Sequence, residues 1–187
     1  MADQAQYRVV TCRGTLGRVR ALPQADVILA KVDPAAVAAI DDGLSLSWMS
    51  TASMDAIADA TLEVLGPEEF RKFYAEAVNS WSDSKLFGPL IEAAGRIFGS
   101  DPAGHLKWLG RAWQITTRNM GTISTTETKT GVQVVYAGLP PSHRVERMIH
   151  NAYGSLHGIV AGRGQTPKIG VDDSRLAEGF LTFDVSW

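Results

Sequence analysis

The feature that most constrains this chain is a change of hydrophobic period about two-thirds of the way along it. From Met54 to Trp113 the apolar residues recur with helical spacing, and from Gly121 they recur at every second position, as in strands. Met54, Ile57, Ala58, Thr61, Leu62 and Leu65 make one stripe between Ser53, a candidate N-cap, and Gly66, a stop. Pro67 opens a second helix, with Glu68 and Glu69 near the positive end of its dipole. Its inner face is Phe70, Phe73, Tyr74, Ala77, Val78 and Trp81. Ser82-Asp83-Ser84 caps a third helix bearing Leu86, Phe87, Leu90, Ile91, Ala94, Ile97 and Phe98. A fourth, after Gly99-Ser100-Asp101-Pro102, turns Leu106, Leu109 and Trp113 inward.

Beyond the switch, residues 121–128 and 132–136 read as a hairpin around Lys129-Thr130-Gly131. Ser142 is placed to cap a long helix with the stripe Val145, Met148, Ile149, Ala152, Leu156, Ile159 and Val160, which Gly162 and Gly164 stop. Residues 168–171 and 180–187 read as two final strands. Ahead of the stripes the pattern is weaker. Residues 7–12, rich in β-branched side chains, read as a strand, and 14–22 as a hairpin arm or a short helix. Residues 27–32 and 34–40 read as short helices, and Asp41-Asp42-Gly43 as a turn. With no repeat and no linker, the expectation is one α/β (α+β) domain over residues 1–187. It comprises a lead-in (1–50), a four-helix region (51–118) and a ββαββ tail (119–187), the helical bundle packing on a small antiparallel sheet of about four strands.

Composition narrows the function classes. Hydrophobic residues are 45% and charged residues 20% of the 187, a globular balance. A net charge of −2 without a basic cluster argues against a nucleic-acid partner. The single cysteine, Cys12, allows no internal disulfide, and neither a signal-like start nor a membrane-length apolar run is seen. The expected location is the cytoplasm.

No catalytic constellation assembles. His143, His150 and His157 are spaced by seven, a helical rise of about 10 Å, too far for two of them to share a metal. They read as a polar helix flank, and His105 has no partner in sequence. No nucleophile elbow and no phosphate loop is present, and Gly158-x-x-x-Gly162-x-Gly164 reads as a helix stop. Cys12 reads as a small buried apolar residue, and no metal site is expected. The five tryptophans are the least ordinary feature. Trp81 and Trp113 fall on inward faces. Trp108 lies off the inner stripe and suits a surface anchor or a groove.

Two groups of segments carry a family likeness. The first is Gly14-Thr-Leu-Gly17, Leu44-Ser-Leu-Ser-Trp48 and Val64-Leu-Gly66-Pro-Glu-Glu-Phe70. The second is Trp113-Gln-Ile-Thr-Thr-Arg118-Asn-Met-Gly121, Gly138-Leu-Pro140, the helix after it and Phe183-Asp-Val-Ser-Trp187. The chain resembles an uncharacterised paralogous family of myxobacterial proteins. That family is similar to the superfamily of haem–nitric-oxide-binding domains, four-vinyl-reductase domains and subunits of the transport-protein-particle (TRAPP) tether. The resemblance implies the fold of that superfamily, whose members bind apolar ligands or dimerise through helical faces. Haem-binding members need a proximal histidine and a Tyr-x-Ser-x-Arg clamp. This sequence has no such clamp, and the expectation is therefore no cofactor and no haem.

The leading expectation is a non-enzymatic sensory or regulatory domain that binds a small apolar ligand, with Tyr74, Trp81, Trp113 and His150 lining its pocket. The alternative is a protein-interaction module, without ligand, that pairs with itself or a partner through a face bearing Trp108.

Overall fold

The computed structural model describes residues 4–79 and 88–187, apart from the side chains of Leu90, Ile91, Ala94 and Phe98. Trp81 and the start expected for the third helix lie outside the described residues.

The chain begins with strand β1 (Gln6–Arg8) and passes directly into helix α1 (Val9–Arg20). The strand expected over 7–12 is therefore only its first two residues. Of the two readings of 14–22, the helix is the one formed. Val9, Cys12, Leu16 and Val19 are buried at helical spacing, so tertiary burial overrides the β-propensity of Val9, Val10 and Thr11. Helices α2 (Ala25–Leu29) and α3 (Pro34–Asp42) follow, the latter capped by the Asp33 carboxylate accepting from Ala35 N–H. Asp41 and Asp42 are its last residues and not a turn. The loop after α3 is held by Arg13, whose guanidinium donates to the carbonyls of Asp41 and Gly43.

Strand β2 (Trp48–Ser50) had no periodic signal, being three residues long. It pairs antiparallel with β1, and β1 with the two-residue β3 (Thr117–Arg118). Trp48 is clasped between the Arg8 and Arg118 guanidiniums, 4.1 and 4.6 Å from its ring centre.

Helix α4 (Ala52–Asn79) contains both of the first two expected helices, with a break at Gly66 (φ 74°) just before Pro67. A positive φ there suits only glycine, so the stop is real, and a second helix follows at once across the kink. Ser53 lies inside this helix and is not its cap. After α5 (Gly88–Phe98), where Ile97 is 65% exposed instead of buried, the expected fourth helix is two pieces, α6 (Pro102–Lys107) and α7 (Leu109–Thr116). Trp108 is the joint between them.

The tail follows the alternating pattern. Strands β4 (Thr122–Glu127), β5 (Gly131–Ala137), β6 (Lys168–Asp172) and β7 (Phe180–Ser186) form an antiparallel sheet ordered β4-β5-β7-β6. Val132, Val134 and Tyr136 of β5 face the core beside Leu181, Phe183 and Val185 of β7. Helix α8 (Glu146–Ala161) crosses this face. It starts three residues later than a cap at Ser142 predicts, because residues Pro141–His143 form a 3₁₀ turn first.

Two cores result. The first packs α1 to α4 around Leu16, Ile28, Ile40, Ile57 and Phe70. The second packs α6, α7 and α8 on the sheet around Leu106, Leu156, Leu181 and Phe183. They meet where α4 and α8 lie side by side, the largest helix–helix contact among the described residues. Helix α8 is buried on two faces in consequence. Met148, Ala152, Leu156 and Val160 face the sheet, while Gly154 and Gly158 press on α4 and Val145 is exposed. A Cβ added at Gly154 or Gly158 would collide with the carbonyls of Arg71 or Ala75. Gly158, read as part of a helix stop, thus sets the distance between the cores together with Gly154, and Gly162 is the cap.

Candidate functional site

A cavity lies at the seam of the two cores. The space open to the centres of water molecules is about 120 Å³, and its walls are mostly apolar. From the first core come Tyr7, Thr11, Cys12 and Thr15 around α1, and Met54, Asp55, Ala58 and Tyr74 of α4. From the second come Leu109, Trp113 and Thr116 of α7, Ile123 and Tyr136 of the sheet, and Arg147, Met148, Asn151 and Ser155 of α8. Trp113 stands edge-on to Tyr136, ring centres 5.7 Å apart.

A buried polar cluster closes one side. Asp55 Oδ1 is 2.6 Å from Arg147 Nη1 and 3.2 Å from His143 Nε2. The same ring nitrogen lies 2.9 Å from Tyr7 Oη, and Ser142 Oγ is 3.0 Å from His143 Nδ1. The tyrosine hydroxyl and the carboxylate thus converge on one ring nitrogen. Arg147 Nε is 2.8 Å from Asp59 Oδ1, an ion pair not aligned as a hydrogen bond. Burial alone would raise the pKa of Asp55. The hydrogen bond from His143 and the charge of Arg147 outweigh it and hold this carboxyl below its ordinary value. Burial pushes the Cys12 thiol up to about 12, and raises the phenols of Tyr7, Tyr74 and Tyr136.

The structure treats the residues singled out from sequence differently. Tyr74 and Trp113 line the cavity and His150 does not. His150 is buried beside it on α8, where Nδ1 accepts from Arg71 Nε at 3.0 Å and Nε2 lies 3.0 Å from Glu146 Oε1. Trp108 is half-buried, with the Arg111 guanidinium 5.5 Å from its ring centre. The histidines are not a polar flank. His143 belongs to the 3₁₀ turn and is 1% exposed, His150 is 6% exposed, and only His157 is half-buried. His105 is buried on α6 with Nε2 3.1 Å from the Gly99 carbonyl, away from the cavity. Sequence reasoning missed Asp55, Arg147, Tyr7 and Thr11. Asp55 and Arg147 stand 92 positions apart, and the one local hint was a charged residue at each helix start next to an apolar stripe. Among the described residues no group of three or more His, Cys, Asp or Glu could hold a metal ion. No described helix is long and apolar enough to cross a membrane.

This layout, with helices on one side, an antiparallel sheet under a long helix on the other and a cavity between, has solved counterparts. An H-NOX protein from K. algicida superposes with a TM-score of 0.64 at 12% identity, over 96% of this chain and 95% of that one. The chain has the H-NOX fold. An oxygen-binding H-NOX domain related to soluble guanylate cyclases, in its oxygen complex, matches with a TM-score of 0.56 at 12% identity, over 92% and 89% of the two chains. A point mutant of T. tengcongensis H-NOX matches at 0.57 and 12% identity, over 96% of each chain. No family model and no curated protein matches.

These neighbours correct one expectation. Absence of the Tyr-x-Ser-x-Arg clamp pointed to a chain without a cofactor, yet the structures sharing its fold are of H-NOX proteins with Fe(II), whose heme distortion has been probed. The clamp is a sequence motif, whereas the space between the two cores belongs to the fold, so its loss does not argue against a cofactor. Haem iron is held by histidine, cysteine, methionine or tyrosine side chains. No histidine lines the cavity. Cys12 and the tyrosines would first have to lose protons that burial makes them hold. The thioethers of Met54 and Met148 carry no proton to lose, and both line the cavity. Methionine is thus the lining donor that could meet haem iron without losing a proton, while the histidine that accompanies methionine in haem proteins is not among the lining residues.

Proposed function

We propose that the chain is a sensory, ligand-binding domain whose cavity takes a small, largely apolar ligand. The position of the cavity carries this reading. Its walls come from α1, α4, α7, the sheet and α8, so a ligand there touches both cores at once. Ligand sites are typically apolar with a few convergent polar groups. A ligand that contacts both cores favours one way of packing them over another, which is what a sensor requires. Hemin is the first probe to apply, because the H-NOX neighbours are described as heme proteins. Met54 and Met148 would hold it, and it would supply an iron centre able to take a further small ligand. The motifs at 14–17, 44–48 and 113–121 support a narrower kinship with the myxobacterial family.

Native mass spectrometry beside the denatured mass, followed by hemin titration of the stripped protein, tests this. The expected result is extra mass released on denaturation, or a saturable hemin absorbance band that changes in Met54→Leu or Met148→Leu. A protein without adduct that binds neither hemin nor a small apolar compound saturably would overturn the reading.

A further inference from the structure

Two residues that line this cavity each carry a buried polar atom with no hydrogen-bond partner among the described residues. The indole N–H of Trp113 and the hydroxyl of Thr11 are shielded from solvent and make no hydrogen bond, and both residues line the cavity. A buried polar atom left unmatched is unfavourable and calls for an explanation. Four of the neighbouring polar side chains are engaged. Thr116 and Thr117 donate to the carbonyls of Ala112 and Trp113, Ser155 donates to Asn151, and Tyr7 meets His143. An indole N–H can only donate, and a hydroxyl can donate as well as accept. The guanidinium of Arg147 is already matched by two carboxylates, Asp55 and Asp59, so it leaves no spare positive charge for an anion.

We propose that the ligand of this cavity is an apolar molecule carrying a neutral hydrogen-bond acceptor, in the simplest case a carbonyl oxygen, which accepts from Trp113 Nε1–H with Thr11 Oγ1 as a second donor. This rests on the reading that the cavity binds a ligand at all.

Acetophenone and α-methylstyrene share a shape and differ in C=O against C=CH₂, so they isolate the acceptor. Their affinities are measured by calorimetry on the stripped protein, and the Trp113 indole N–H is followed by NMR. The ketone is expected to bind about tenfold more tightly and to shift the indole resonance. In Trp113→Phe and in Thr11→Val the preference shrinks towards equality. Thr11→Val is nearly isosteric and keeps the test standing where the tryptophan variant does not fold. Equal affinities in the unaltered protein overturn the inference and leave the cavity reading intact, the N–H then being served by the Tyr136 ring or a trapped water. Failure of both compounds to bind overturns the cavity reading and the inference with it.

Discussion

The two ends of the α4–α8 seam are built on opposite principles. Near the ends of the helices, Gly154 and Gly158 leave no side chain between backbones, and α8 rests on the carbonyls of Arg71 and Ala75. Near their starts, Asp55, Asp59 and Arg147 interpose an ionic cluster that His143 and Tyr7 extend. Glycine brings two helices to minimal distance, and large hydrogen-bonded polar groups hold them apart. The cavity takes Asp55 and Arg147 of the second end into its wall, together with Tyr74 and Ser155 beside the first. The contrast suggests a division of labour in which the closed end fixes the geometry of the two cores and the polar end keeps room for a ligand.

That division can be broken from either side. The largest effect is expected at the polar end. Arg147→Met leaves Asp55 buried without its main countercharge, and urea denaturation should show a loss of about 3 kcal/mol. Next is the closed end, where Gly158→Ala should cost about 2 kcal/mol because backbone must move to admit the methyl group. The same substitution at Gly14, an exposed position in α1 with open space around it, should be neutral or stabilising by up to about 1 kcal/mol. Equal effects at the two glycines would deny the closed end its special role. The smallest effect is in pH dependence. The folded pKa of Asp55 lies below its unfolded value of about 4. Its ionised form therefore stabilises the fold above that pH, and the contribution is lost as pH falls through the folded pKa. Between pH 7 and 3, Asp55→Asn should be less stable at neutral pH and show a shallower acid decline than the parent. Parallel profiles would remove Asp55 from the stability of the polar end.

The parts legible in the sequence were those with a long period. The stripes at 54–65 and 70–78, the hairpin and the last two strands all occur where the spacing places them. The lead-in was not legible, because β1, β2 and β3 hold three, three and two residues, too few to show alternation. Helix α1 was misread at its start because Val9, Val10 and Thr11 have strand propensity, and only packing against α4 makes a helix the better choice there. Within the cavity Tyr74 and Trp113 could be named from helical faces, since each lies on an inward stripe. His150 was named from a polar flank and not from such a stripe, and it falls one position from the lining Asn151, among the residues that tie α8 to Arg71.

What the sequence determined by itself is therefore local: which segments are helical, which alternate, and which faces must leave water. Those follow from apolar period, caps and breakers, which act over a few residues. The pairing of Asp55 with Arg147 across 92 positions, the approach of Gly158 to Ala75, and the meeting of Thr11 and Trp113 at one cavity were decided only by the tertiary structure. The physical reason is that no local preference encodes them. Each exists because two separately folded cores settle against one another, and the space left where they fail to close is what a ligand can use.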